Sequence, residues 1–449
     1  MSSILSFPII RIVVILGLSF FFKTLIPARI RDRIIPWSFA LIIMHFNIMP
    51  FIGGGLHFLL MVMYWLNMAI VLNGFDINQM TRNRVLAAFL VFWGYYLLTS
   101  VRTDFPLYAF LYNVNALLEL IFVGYFAGIW AMCRPDGFRR LVKPLVFVAV
   151  IPILIYLKSG FGGEIDDNGR AMLDEEILEA GLGNNVNGIA LSLSPIVTLL
   201  LAYLLHDDRV KISKVMYIIT GAVLFMSVYL LLRTGSRNGA LIFLPCGWYF
   251  FKRMKNVRHK FVNMVIIGLA VLGAAGLMYR KAGALRSFTL SANSNVIGKQ
   301  TINDISSGRV LIFQNLMAKS KGVDYVIGRG MNVVSTFEGK RIFGALSVYV
   351  SLLSYVGIFG LLLLLVLYIR FFWIAAHKGA IGQIAVLLFA SWALTCVAED
   401  AGINRAQLVG LLLGLSMAFC TDKRFGWERV RVLPLGRRED DFSIGRYAY

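Results

Sequence analysis

The chain has 449 residues, of which 58% are hydrophobic and only 15% charged, with a formal charge of +20. Soluble domains are nearer half apolar and about a quarter charged, so this balance excludes a soluble globular protein. It also turns the net charge into a question of membrane topology before one of nucleic-acid binding, and no nucleic-acid partner is expected.

Lipid cannot satisfy backbone polar groups, so long unalternating apolar runs must be spanning helices. Such runs lie near residues 7–22, 35–52, 57–73, 85–100, 108–132, 144–157, 187–205, 215–232, 238–251, 262–279, 343–369, 381–397 and 406–420. The expected fold is therefore an all-α polytopic membrane protein of 12 to 13 transmembrane helices, forming one transmembrane domain over 1–449. The first run has neither a basic flank before it nor a small-residue cleavage site after it, and reads as a retained helix. Cys133, Cys246, Cys396 and Cys420 lie in or beside apolar runs without CxxC spacing, so neither disulfides nor a metal site are expected.

Alternate gaps carry very different charge. Segments 23–34, 74–84, 133–143, 206–214, 252–261, 370–380 and the tail 421–449 together hold 27 Lys and Arg, and the segments of the other face, leaving aside the long loop 280–341, hold six. The basic face is expected in the cytoplasm, with the C-terminal tail. Two polar loops then fall outside: 158–185, which is acidic, and 280–341, which carries ten bases against Asp304, Asp324 and Glu338. A basic outer loop runs against the usual charge rule. Anion binding would explain it; so would an amphipathic loop resting on anionic headgroups.

Four places could carry chemistry. Leu232-Arg233-Thr234-Gly235-Ser236-Arg237-Asn238-Gly239 joins two helices by a short turn, bringing Arg233 and Arg237 together. Guanidinium forks match phosphate oxygens in pairs, although two snorkelling arginines closing a hairpin would look the same. In the basic loop, Ser306-Ser307-Gly308-Arg309 and Ile327-Gly328-Arg329-Gly330 each set an arginine beside glycine, an arrangement that leaves a guanidinium and backbone NH groups open to an anion. Gly183-Asn184-Asn185-Val186-Asn187-Gly188 offers amides to a sugar, or caps to the helix that follows. Glu399-Asp400 falls in an expected outer turn, as a general base or as a cap and partner of Arg405. No P-loop, HExxH, GxSxG or clustered histidine is present, which disfavours ATP-driven and metal-dependent chemistry.

Taken in order over roughly 180–420, these pieces resemble the bacterial O-antigen ligase and polymerase superfamily, membrane glycosyltransferases that use undecaprenyl-pyrophosphate-linked glycans. Asn187-Gly188 looks like the family's helix entry, Thr234 to Gly239 like its Ser-Arg-x-Gly hairpin, and Ser307-Gly308-Arg309 with Gly328-Arg329-Gly330 like the marks of its large periplasmic loop. Tyr349 and Leu352 to Gly360 look like the helix leaving that loop. The resemblance implies that Arg233, Arg237, Arg309 and Arg329 hold the pyrophosphate, that Asn187 and Tyr349 face glycan, and that Glu399 or Asp400 is the candidate base. No cofactor or metal is implied. The implied partners are the lipid-linked glycan, membrane lipid and a chain-length regulator protein. The ligases' His-Asn pair is replaced here by Leu346 and Ser347, which favours a polymerase over a ligase. A flippase or exporter of lipid-linked sugars is the reading outside glycosyl transfer.

Overall fold

The computed structural model describes residues 2–48, 51–52, 54–73, 83–103, 106–134, 136–158, 186–206, 213–234, 236, 239, 241–254, 320, 322–330, 334–337, 340–343, 348–398 and 408–421. Its elements are α1 (Ser2–Leu25), α2 (Ala28–Ile48), α3 (Gly54–Leu72), α4 (Arg84–Thr99), α5 (Pro106–Ala116), a π-helical turn (Leu117–Phe122), α6 (Val123–Met132), α7 (Gly137–Val148), α8 (Val150–Lys158), α9 (Val186–Leu205), α10 (Lys214–Arg233), α11 (Phe243–Met254), α12 (Val323–Ile327), α13 (Val348–Ala376), α14 (Gly379–Ala398) and α15 (Gly410–Phe419). A short antiparallel hairpin, Val334–Phe337 with Lys340–Phe343, interrupts the expected all-α reading.

Every expected span that reaches the described residues falls on a helix, and eight stretches among the described residues are long and apolar enough to cross a membrane. The expected span at 262–279 lies outside the described residues. The helix expected from 144 already begins at Gly137. Arg139, Arg140 and Lys143 in its first two turns alternate with buried Phe138, Leu141 and Val142, so an amphipathic stretch reads as a polar gap when only its charges are counted.

Exposed Leu98, Phe251 and Trp373 belong to a surface that only lipid would accept. In lipid, association relies on close packing and internal hydrogen bonds. Both are present. Gly124 and Gly128 of α6 face Leu411, Gly414 and Ala418 of α15 so closely that a Cβ at Gly414 would lie 2.1 Å from the Ile121 carbonyl oxygen. Asn83 caps α4 by accepting from the Val85 and Leu86 amides, and its Nδ2 donates to Met417 O at 3.0 Å and Thr421 Oγ1 at 2.6 Å. Asn47 Nδ2 donates to Ser192 O at 3.1 Å, while Tyr156 Oη donates to Asn47 O at 2.9 Å.

These bonds sort the helix ends. The starts of α4 and α14 meet the end of α15 through Asn83 and through Lys378 Nζ donating to Thr421 O. Arg139, at the start of α7, donates to His206 O just past α9, and Arg253 Nε reaches Leu205 O at 3.4 Å. Basic side chains thus cover the carbonyl ends of α9 and α15, where the helix dipole favours cations. The end of α4 and the start of α9 consequently emerge together at the opposite end of the bundle.

Candidate functional site

The opposite end is organised by a break in α13. Gly357 has φ 65° and ψ −170°, inside what would otherwise be one helix. Tyr349 and Tyr368 bring their hydroxyls within 2.7 Å, and Tyr349 Oη also donates to Ala393 O at 3.0 Å. Nineteen residues of straight helix would separate those two tyrosines by roughly 28 Å, beyond the reach of two side chains. The chain therefore folds back at Gly357, and Val348 to Val356 is a separate half-helix rather than part of the single span expected over 343–369. Ser351, Leu352, Ser354, Tyr355 and Val356 on it are buried, as a half-helix at membrane depth requires.

The fold-back leaves carbonyls without their usual partners, and Gly328-Arg329-Gly330 supplies new ones. The Arg329 amide donates to Ser354 O and the Gly330 amide to Tyr355 O, both at 2.9 Å. Glycine is needed on both sides of the contact: Gly328 and Gly330 have φ of 82° and 79°, and a Cβ on either would lie 2.2 Å from Tyr355 O or Thr99 O respectively. The expectation that this motif leaves its NH groups open to an anion is thus corrected for Arg329 and Gly330, whose amides cap the broken helix.

Arg329 has company. Its Nε lies 3.8 Å from Asp324 Oδ2, and Arg102 Nη2 donates to Asp324 Oδ1 at 2.9 Å. Arg102 Nη1 also donates to Gly328 O, and Tyr95 Oη donates to Ile327 O at 2.9 Å. Side-chain exposures of 37% and 34% for Arg102 and Arg329, against 16% for Asp324, put the guanidiniums on the rim with the carboxylate beneath. Among the described residues two cations meet one anion here, and guanidinium forks suit phosphate oxygens. The same charges also complement the C-terminal dipole of the half-helix below them, which is the plainer role.

Arg102→Gln is expected to lower stability by about 1–2 kcal/mol, as one charge-assisted contact to a backbone carbonyl is lost with its ion pair. Asp324→Asn keeps an acceptor and should cost less. Thermal unfolding of the solubilised protein checks the order.

Arg233, in the last turn of α10, donates from Nη1 to Tyr229 Oη at 2.7 Å and lies 5.6 Å from that ring's centre. Beyond it, the Ser236 amide donates to Thr234 Oγ1 at 3.1 Å, and Gly239 lies so close to α9 that a Cβ there would be 3.1 Å from Ala190 Cβ. Gly239 is therefore packed on α9 one turn after Asn187 and Gly188, and Arg233 lies at the bundle end shared with Arg102. Asn187 occupies the first turn of α9, and its side chain lies outside the description. Tyr349 is placed inside, its hydroxyl held by Tyr368 and Ala393. Arg237, Arg309, Glu399 and Asp400 lie outside the described residues.

The sequence reading passes over three ionisable residues. Arg102 is a lone base in a short gap, and only its partners single it out. Arg11 and Glu119 are lone charges inside apolar runs, a signal legible in sequence. They pair through Arg11 Nη2 and Glu119 Oε1, and Asn115 Nδ2 donates to the same oxygen at 2.8 Å. The Arg11 guanidinium also lies 5.5 Å from the Tyr64 ring centre. Glu119 sits on the π-helical turn, about 20 Å from either end of its rod, near the middle of the bundle.

No family model matches the chain, and no curated protein matches it either.

Proposed function

We propose that the protein is a polymerase joining undecaprenyl-pyrophosphate-linked oligosaccharide units at the periplasmic face of the bacterial inner membrane. On this reading 12 to 13 helices span the membrane, 280–341 is a large periplasmic loop, and the C-terminal tail is cytoplasmic. The observation that carries it is Arg329 on the rim beside Arg102, at the same bundle end as Arg233 and as Gly239, which packs on α9 one turn after Asn187-Gly188. Arginines there would neutralise charge growing on the departing pyrophosphate as the anomeric carbon–oxygen bond breaks, and an acceptor hydroxyl would attack the opposite face with inversion. Arg233, Arg237, Arg309 and Arg329 are the proposed pyrophosphate ligands, and Asn187 faces glycan. Glu399 or Asp400 is the proposed base.

The test is extension of a purified undecaprenyl-pyrophosphate-linked repeat unit by solubilised protein, without nucleotide or metal. A ladder of products from the wild type, lost in folded Arg329→Ala and Arg237→Ala variants, is expected. Transfer to a lipid A core acceptor without a ladder would make it a ligase.

A second reading, export of lipid-linked sugar, is favoured by the Arg11–Glu119 pair within the bundle and by the broken helix, since intramembrane charges and discontinuous helices mark transport paths. Inactivity toward both acceptors in folded protein would transfer support to it.

A further inference from the structure

Far from the arginine rim, a groove of about 380 Å³ opens between α1 and the rod formed by the π-helical turn and α6. Leu16 and Phe20 form one wall and Phe122 and Phe126 the other. Leu16 and Phe20 are among the more exposed apolar side chains, so the groove opens where a bilayer would lie. Its polar end is made by Lys23 and Asn73.

Asn73 is the observation that asks for a ligand. It is only 8% exposed, and neither its amide nitrogen nor its amide oxygen has a partner among the described residues. A buried amide left in that state costs about 1–3 kcal/mol, a penalty that an incoming hydrogen-bonding group would remove. Lys23, at the same mouth, forms no ion pair with a described acid. Arg29, Arg31 and Arg33 follow it in the first turns of α2, where Asp32 is engaged by Arg134. An apolar trough with a cationic end and an unsatisfied amide beneath it matches one chemistry: a hydrocarbon chain joined to an anionic phosphodiester.

We propose that this groove binds an anionic glycerophospholipid, with one acyl chain along Leu16, Phe20 and Phe122 and its phosphate at Lys23 Nζ and the Asn73 amide. The Asp32–Arg134 pair places this mouth at the basic end of the bundle, the end opposite Arg329. On the topology proposed above, the lipid would come from the cytoplasmic leaflet. The site is independent of the glycosyl-transfer reading.

Native mass spectrometry of the full chain, titrated with phosphatidylglycerol or phosphatidylcholine, tests this. Wild-type protein is expected to retain at least several-fold more phosphatidylglycerol. Lys23→Ala with Asn73→Leu should abolish that preference; Lys23→Arg, and Lys143→Ala as another base at the same end, should keep it. A thermal unfolding curve shows that each variant is folded. Should the double variant not fold, Lys23→Ala alone must lower the preference at least threefold. Equal retention of both lipids by the wild type, or an unchanged preference in the folded double or single variant, would overturn the proposal. So would displacement of bound phosphatidylglycerol by equimolar undecaprenyl phosphate, which would assign the groove to a polyprenyl carrier.

Discussion

Gly357→Ala is expected to destabilise the protein by about 3 kcal/mol or more, although alanine normally improves a helix interior by about 1 kcal/mol. Two costs add. Alanine at φ 65° is strained in its backbone, and its Cβ would lie 2.4 Å from Val326 O and 2.7 Å from the Gly328 amide nitrogen. Both obstacles are backbone atoms of the segment that caps the fold-back, so relief requires that Gly328-Arg329-Gly330 lift away from Ser354 O and Tyr355 O. Those carbonyls would then be unsatisfied inside the bundle. A thermal unfolding scan, with Gly94→Ala on α4 as the control, measures the effect. A Cβ at Gly94 meets nothing within 4 Å, so that change should raise the midpoint modestly, as alanine does in a helix interior. If Gly357→Ala raises the midpoint, α13 is a straight helix and the fold-back is refuted.

Gly414→Leu should be at least as damaging. A Cβ there would lie 2.1 Å from Ile121 O and 2.7 Å from the Tyr125 amide nitrogen, and Gly124 repeats the problem from the other side at 2.4 Å from Leu411 O. Overpacking usually costs about 1–3 kcal/mol, and more where backbone must part from backbone. The α6–α15 contact also holds Asn83, which bonds Met417 O and Thr421 Oγ1, so separating the pair would loosen α4 as well. The expected result is loss of the monodisperse peak in size-exclusion chromatography, while Gly247→Ala, in open space, elutes as wild type.

Much of the helical layout was legible because an apolar run of spanning length has few alternatives in lipid. Legibility failed wherever charge and helix coincide. Arg139, Arg140 and Lys143 marked a gap in the sequence, yet they ride on a helix whose other face is buried. The fold-back in α13 was hidden for the opposite reason. Leu352 to Leu367 is apolar but for Ser354 and Tyr355, and hydropathy cannot register a reversal carried by one glycine. Gly-Arg-Gly stands out in the sequence as a place for an anion, but its glycines serve a contact with Ser354, Tyr355 and Thr99 that local sequence does not encode.

The sequence alone determined that this chain belongs in a bilayer, where its apolar segments lie, and which arginines deserve attention, because these follow from composition, run length and residue chemistry. Tertiary structure decided that α13 doubles back, that Arg102 and Asp324 join Arg329, and that Arg11 meets Glu119 across the bundle. Each of those depends on contacts between residues far apart in the chain. Their energies come from caps, ion pairs and backbone approach at single atoms, to which an average over a window of residues is blind.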